Sequence, residues 1–140
     1  MARIDQIAEE VSVLMPMIAR RVLLGFFQSV NITQTQIFTI MTLTEKVPVR
    51  LSTLSQKMNI SAPTVTGIVD RLEKLGYVKR IPDQGDRRAI NVDLTTKGRN
   101  LAKKLKATLK RKWRGLLIKL PKRDQEHYGR ILRKIQRNIK

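Results

Sequence analysis

A mostly α-helical fold with one small β-hairpin is predicted for these 140 residues by three features. Residues 51–75 hold two short segments of helical apolar spacing, separated by Asn59, Ile60 and Ser61. Residues 77–94 hold two alternating segments around the turn-rich run PDQGDRR, and both ends of the chain carry apolar residues at spacings of three and four. Helix, tight turn, helix and hairpin in that order make a winged helix-turn-helix, here with N- and C-terminal helices suited to dimerisation. The expected organisation is a winged lobe over residues 33–95 and a helical dimerisation region formed by residues 1–32 and 96–140.

The first helix of the lobe is expected to start at Ser52 as N-cap and to turn Leu54 and Met58 inward. Asn59 ends it, because Asn tolerates the left-handed conformation that a helix C-terminus needs. Ser61 caps the next helix and Pro63 sits in its first turn, where a missing N–H costs nothing. Val65, Ile68, Val69, Leu72 and Leu75 form its buried stripe, and Gly76 follows as the C′ residue. The opposite face offers Ala62, Thr64, Thr66, Gly67 and Arg71, small, hydroxyl-bearing or basic residues that suit docking into a major groove. Together with Ser61 and Pro63 they are the candidate recognition-helix residues.

Strands are expected from Tyr77 to Ile81 and from Ala89 to Leu94. Pro82, Asp83 and Gly85 are turn formers, so Arg87 and Arg88 stand on the hairpin tip. An Arg there can enter a narrow minor groove, and Asp86 is placed to hold it.

The run VTGIVDRLEKLGYVKR, the wing DRR and the following NVDLTTKG resemble the multiple antibiotic resistance regulator (MarR) family of bacterial transcription factors. The resemblance covers the middle third closely, and the helical flanks agree in order and length. It implies a dimeric regulator of double-stranded DNA acting as a repressor on a pseudo-palindromic operator. By the same resemblance Asp86 orients Arg88, and the Arg reaches a minor groove. It also implies a small aromatic or lipophilic effector bound by residues of the first two helices and the start of the fifth. One position departs: many members carry a long basic side chain where Gly67 stands.

Composition agrees with a polyanion partner. Formal net charge is +18, well beyond what solubility needs. The charge is uneven: residues 95–140 hold 17 Lys or Arg against Asp124 and Glu126, whereas residues 1–50 hold 5 against 4 acids. A run of this kind is most often a solvated helix face. The absence of cysteine removes disulfides and thiolate metal sites, and a lone His127 cannot build a zinc site, so no metal or cofactor is expected. No apolar run spans a membrane and the N-terminus lacks a signal peptide, so a cytoplasmic protein is expected. No nucleophile or phosphate-loop constellation appears, which argues against an enzyme. The alternatives are an architectural, sequence-tolerant DNA binder and a basic protein that binds membranes or partners through its helices.

In the flanks, Ile4, Ile7, Val11, Leu14, Ile18 and Val22 form a seam interrupted by Pro16, where a kink or a loose first segment is expected. Thr33 and Gln36 have capping-box spacing, with Ile37, Phe38, Ile40 and Met41 as the next core face and EKVPVR as its end. Val49 to Leu51 is expected to add a third strand. Thr95 or Thr96 caps a long helix with Leu101, Leu105, Leu109, Leu116 and Leu120 inward, and a last helix carries Tyr128, Ile131, Leu132, Ile135 and Ile139.

Overall fold

The computed structural model describes residues 2–45 and 48–139. Its elements are α1 (Arg3–Ser29), α2 (Gln34–Glu45), β1 (Val49–Arg50), α3 (Leu51–Met58), α4 (Ala62–Lys74), β2 (Val78–Pro82), β3 (Ile90–Leu94), α5 (Thr96–Leu117) and α6 (Lys122–Asn138). The mostly helical fold with a small wing is therefore what the chain adopts. Two compact units divide it: residues 24–106 form one, and residues 1–23 with 107–140 form the other.

In the first unit the core lies between α2, α3, α4 and a three-stranded antiparallel sheet in the order β1-β3-β2. Leu43, Leu54, Val69, Leu72 and Val92 are fully buried there. The capping box of α2 forms reciprocally: the Gln36 N–H donates to Thr33 Oγ1 at 3.2 Å and the Thr33 N–H to Gln36 Oε1 at 3.0 Å. Phe38 does not join the core face. It is 49% exposed, while Thr39, with its hydroxyl bonded to the Thr35 carbonyl, takes the fully buried place. Lys46 and Val47, within the stretch expected to end α2, lie outside the described residues.

The strand expected at 49–51 is shorter, because Leu51 already opens α3. Val49 pairs with Val92 and Arg50 with Asn91. Arg50, extended at φ −63° and ψ 143°, then occupies the N-cap without a side-chain hydrogen bond, so strand pairing and not a Ser52 cap sets the start of the helix. The long helix α5 docks on the base of the wing. Thr95 caps it by accepting from the Gly98 N–H at 3.1 Å and donates its own hydroxyl to the Gly76 carbonyl. Gly98 is buried where a Cβ would stand 2.0 Å from the Tyr77 carbonyl oxygen, so only glycine permits this approach.

The second unit is unlike the first. Among its described residues only Val22 is buried, while Ile4, Ile7, Val11, Leu14, Ile131 and Ile135 of the predicted seams are all about half exposed or more. Leu116 and Leu120, expected inward on the long-helix seam, are likewise exposed. Helix α1 runs through Pro16 as one element, in place of a loose segment followed by a straight one. Within this unit the Trp113 and Tyr128 rings join α5 to α6 with centroids 5.9 Å apart. No helix among the described residues is long and apolar enough to cross a membrane.

Candidate nucleic-acid interface

Local chemistry fixes where α4 begins and ends. Ser61 takes extended backbone angles and its Oγ accepts the Thr64 N–H at 3.3 Å, with Pro63 in the first turn as expected. At the preceding turn Asn59 adopts φ 53°, and the Ile60 N–H reaches the Ser55 carbonyl at 3.2 Å. At the far end Gly76 has φ 83° and the Tyr77 N–H closes on the Leu72 carbonyl at 2.9 Å, a left-handed termination that turns the chain into β2.

Val65, Val69 and Leu72 pin one face of α4 to the core. Leu75, expected in that stripe, is 38% exposed, because the helix has already reached its C-cap there. On the other face Ser61, Ala62, Pro63, Thr64, Gly67 and Arg71 are exposed and Thr66 is half-buried. The Thr64 hydroxyl shares a 2.7 Å hydrogen bond with Ser61 Oγ, so part of its capacity is used within the cap. A side chain at Gly67 would meet open space.

Arg80 on β2 joins this helix to the wing. Its guanidinium pairs with Asp70 and, at 2.8 Å, with Glu73, and its N–H donates to the second Glu73 oxygen at 3.3 Å. Both carboxylates that could have neutralised Arg71 are thus engaged. Arg71 instead lines a cleft of about 680 Å³ with Lys74, Leu75, Phe27, Thr33 and Gln36.

The wing tip is organised by Asp83, which does more than form the turn. Asp83 Oδ2 accepts the N–H groups of Gly85 at 3.1 Å and Asp86 at 3.0 Å and faces Arg50 Nη2 at 3.2 Å, while Oδ1 accepts the Asn91 side-chain amide at 3.0 Å. The Asn91 hydrogen bond, followed by backbone donors and the Arg50 charge, holds its carboxyl below the usual aspartate value. Asp86 was expected to hold an Arg side chain. Its Oδ1 instead accepts the Arg88 backbone N–H at 2.9 Å, because the tight turn brings that amide within reach. Arg87 and Arg88 stay exposed at the tip. Among the described residues no cluster of His, Cys, Asp or Glu could hold a metal ion.

A capped helix with one free face, braced against an arginine-tipped hairpin, defines a winged helix-turn-helix protein. Residues 32–90 match the model of the MarR family, so this lobe carries a MarR domain. It is similar to the HTH-type transcriptional regulator YfiV of Bacillus subtilis, 33% identical over 104 residues that cover 73% of this chain and 64% of that protein. It is also similar to the regulator PecS of Dickeya dadantii, 27% identical over 63% of this chain and 53% of the relative. The chain thus spans between half and two thirds of these curated relatives. In fold it matches a MarR family protein from Bacillus stearothermophilus, with TM-score 0.82, 24% identity and 95% of each chain covered.

Proposed function

We propose that this protein is a sequence-specific, DNA-binding transcription regulator and not an enzyme, acting as a dimeric repressor on a pseudo-palindromic operator. The observation that carries the reading is the Arg80 bridge: it holds the exposed face of α4 and the Arg87–Arg88 tip on one lobe, so a major-groove reader and a minor-groove probe move together. The relatives' names as transcriptional regulators support it. In this reading Thr66 and Thr64, with Ala62 and Gly67, meet base edges. Arg71 and the capped N-terminus at Ser61 and Pro63 meet phosphates, Arg88 enters a minor groove and Asp86 sets its backbone.

The dimer is supported by the second unit, whose apolar seams have almost no core of their own. Two recognition helices would then enter successive major grooves about 34 Å apart. Response to a small aromatic or lipophilic effector belongs to the same reading. The cleft beside Arg71, floored by Phe27 and Leu75, is where occupancy would reach the recognition helix.

Selection of bound sequences from a random duplex pool tests the assignment. Thr66→Ala should change the selected sequence, whereas Arg71→Ala should weaken all duplexes alike. The reverse pattern would overturn the roles given to these two residues. An architectural binder is the second reading, favoured by the open space at Gly67 and by the Thr64 hydroxyl being tied to Ser61. A pool that yields no preferred sequence would favour it.

A further inference from the structure

Helix α6 separates its side chains by chemistry. Tyr128, Ile131, Leu132 and Ile135 lie along one side, and Arg123, Arg130 and Arg137, two turns apart, form a line on the other with Arg133 and Lys134 beside it. Both acids of the helix, Asp124 and Glu126, fall in its first two turns. Among the described residues the ion pairs of Arg50, Arg80 and Arg99 all lie in the other unit, and no carboxylate pairs with these α6 cations. Lys122, Arg123, His127, Arg130 and Arg133 instead converge on a cleft of about 600 Å³ together with Glu126 alone. Like charges held this close repel one another, so the stripe is built to meet an anion that the chain itself does not supply.

We propose that this basic face of α6 is a second contact surface for duplex DNA, gripping the phosphate backbone without reading sequence. The line from Arg123 to Arg137 runs about 21 Å at 1.5 Å per residue, long enough to track several phosphates spaced about 3.4 Å along one strand. Arginine dominates the line, and its planar fork suits phosphate oxygens. Two other polyanions fit less well. A helix lying on a membrane would have to insert the Ile131 and Ile135 side, which the proposed dimer uses. Single-stranded nucleic acid needs aromatic stacking platforms, and the one Tyr of α6 is already packed against Trp113.

The proposal goes beyond operator reading and does not depend on it, so the test separates the two. Binding of a 30-base-pair duplex of random sequence is measured by anisotropy across a salt series, for the full chain and for a wing-disabled chain carrying Arg87→Ala and Arg88→Ala. Adding Arg123→Gln, Arg130→Gln, Arg133→Gln and Arg137→Gln to either should make the log affinity versus log salt slope shallower by roughly three to four, from about 0.9 per phosphate contact. Lysine at the same four positions should retain the slope. Should the fourfold Gln variant fail to fold, Arg130→Gln and Arg137→Gln alone, each expected to remove about one, carry the test. An unchanged slope in folded variants overturns the proposal. So does an equal loss of binding to anionic phosphatidylglycerol vesicles or to single-stranded RNA.

Discussion

Arg80 on β2 donates from Nη1 to the Oε1 of Glu73 on α4 at 2.8 Å, and its other nitrogen reaches Asp70 one turn earlier. Strand β2 and helix α4 are therefore tied at a point outside the apolar core. Arg80 is about a fifth exposed and its partners about half, so the pair lies in partly screened surroundings. Arg80→Met should cost about 1 kcal/mol in denaturant unfolding, the upper end of surface ion pairs, since one guanidinium serves two carboxylates. DNA affinity should fall by more than that loss alone predicts, because the two contact elements would no longer arrive in fixed register. Equal affinity for Arg80→Met and the unaltered chain would mean the wing is positioned by β2–β3 pairing alone.

Wing order should depend on acid pH through Asp83. Its folded-state pKa lies below the usual aspartate value, chiefly because of the Asn91 hydrogen bond. The contribution to stability is therefore fully present above the ordinary aspartate pKa and lost as pH falls through the lower, folded value. Exchange of the Gly85 and Asp86 amides, both donors to Asp83, should accelerate over that acid range. Asp83→Asn should flatten the dependence. Rapid exchange of both amides at neutral pH would show that the carboxylate does not organise the tip.

Gly98 should tolerate no side chain. A Cβ there meets the Tyr77 carbonyl oxygen at 2.0 Å, and that backbone is fixed by the Thr95 N–H bonded to the same oxygen at 3.1 Å. Gly98→Ala should lower stability by about 3 kcal/mol, at the high end of overpacking, read as a lower denaturant midpoint. Gly67→Ala, with nothing within 4 Å, should be neutral or slightly stabilising through helix propensity.

Association should depend on the apolar line of α6. Ile131 and Ile135 on one side of α6, and Ile139 at its C-cap, are 48%, 51% and 70% exposed in one chain, and apolar surface gathered on one side of a helix marks an interaction site. Sedimentation should give twice the 16.2 kDa chain mass, and Ile135→Asp should shift the population to monomer or aggregate. A monomer at micromolar concentration for the unaltered chain would remove the basis for paired half-sites.

Much of this architecture is legible in residues whose conformational demands are local. Asn59 ends α3, Ser61, Pro63 and Gly76 bound α4 as their backbone preferences dictate, and Thr33 with Gln36 forms the capping box of α2. What escaped depends on partners distant in sequence. Phe38 yields the core to Thr39 because of how α2 meets α3, α3 starts at Leu51 because β1 pairs with β3, and Asp83 gains its role only once Asn91 and Arg50 come together around it. Asp86 bonding a backbone amide in place of a guanidinium is of the same kind, since residue spacing alone cannot tell an orienting carboxylate from a turn carboxylate.

In the function proposed above, α4 and the wing together read DNA sequence. The most direct test compares, at physiological salt, affinity for the duplex selected from a random pool with affinity for a scrambled duplex of equal length. A ratio of at least about 10³ is expected, reduced in Arg88→Ala most strongly where A·T-rich tracts flank the site. A ratio near one in the folded, dimeric chain would contradict it and leave a protein that holds DNA by charge alone.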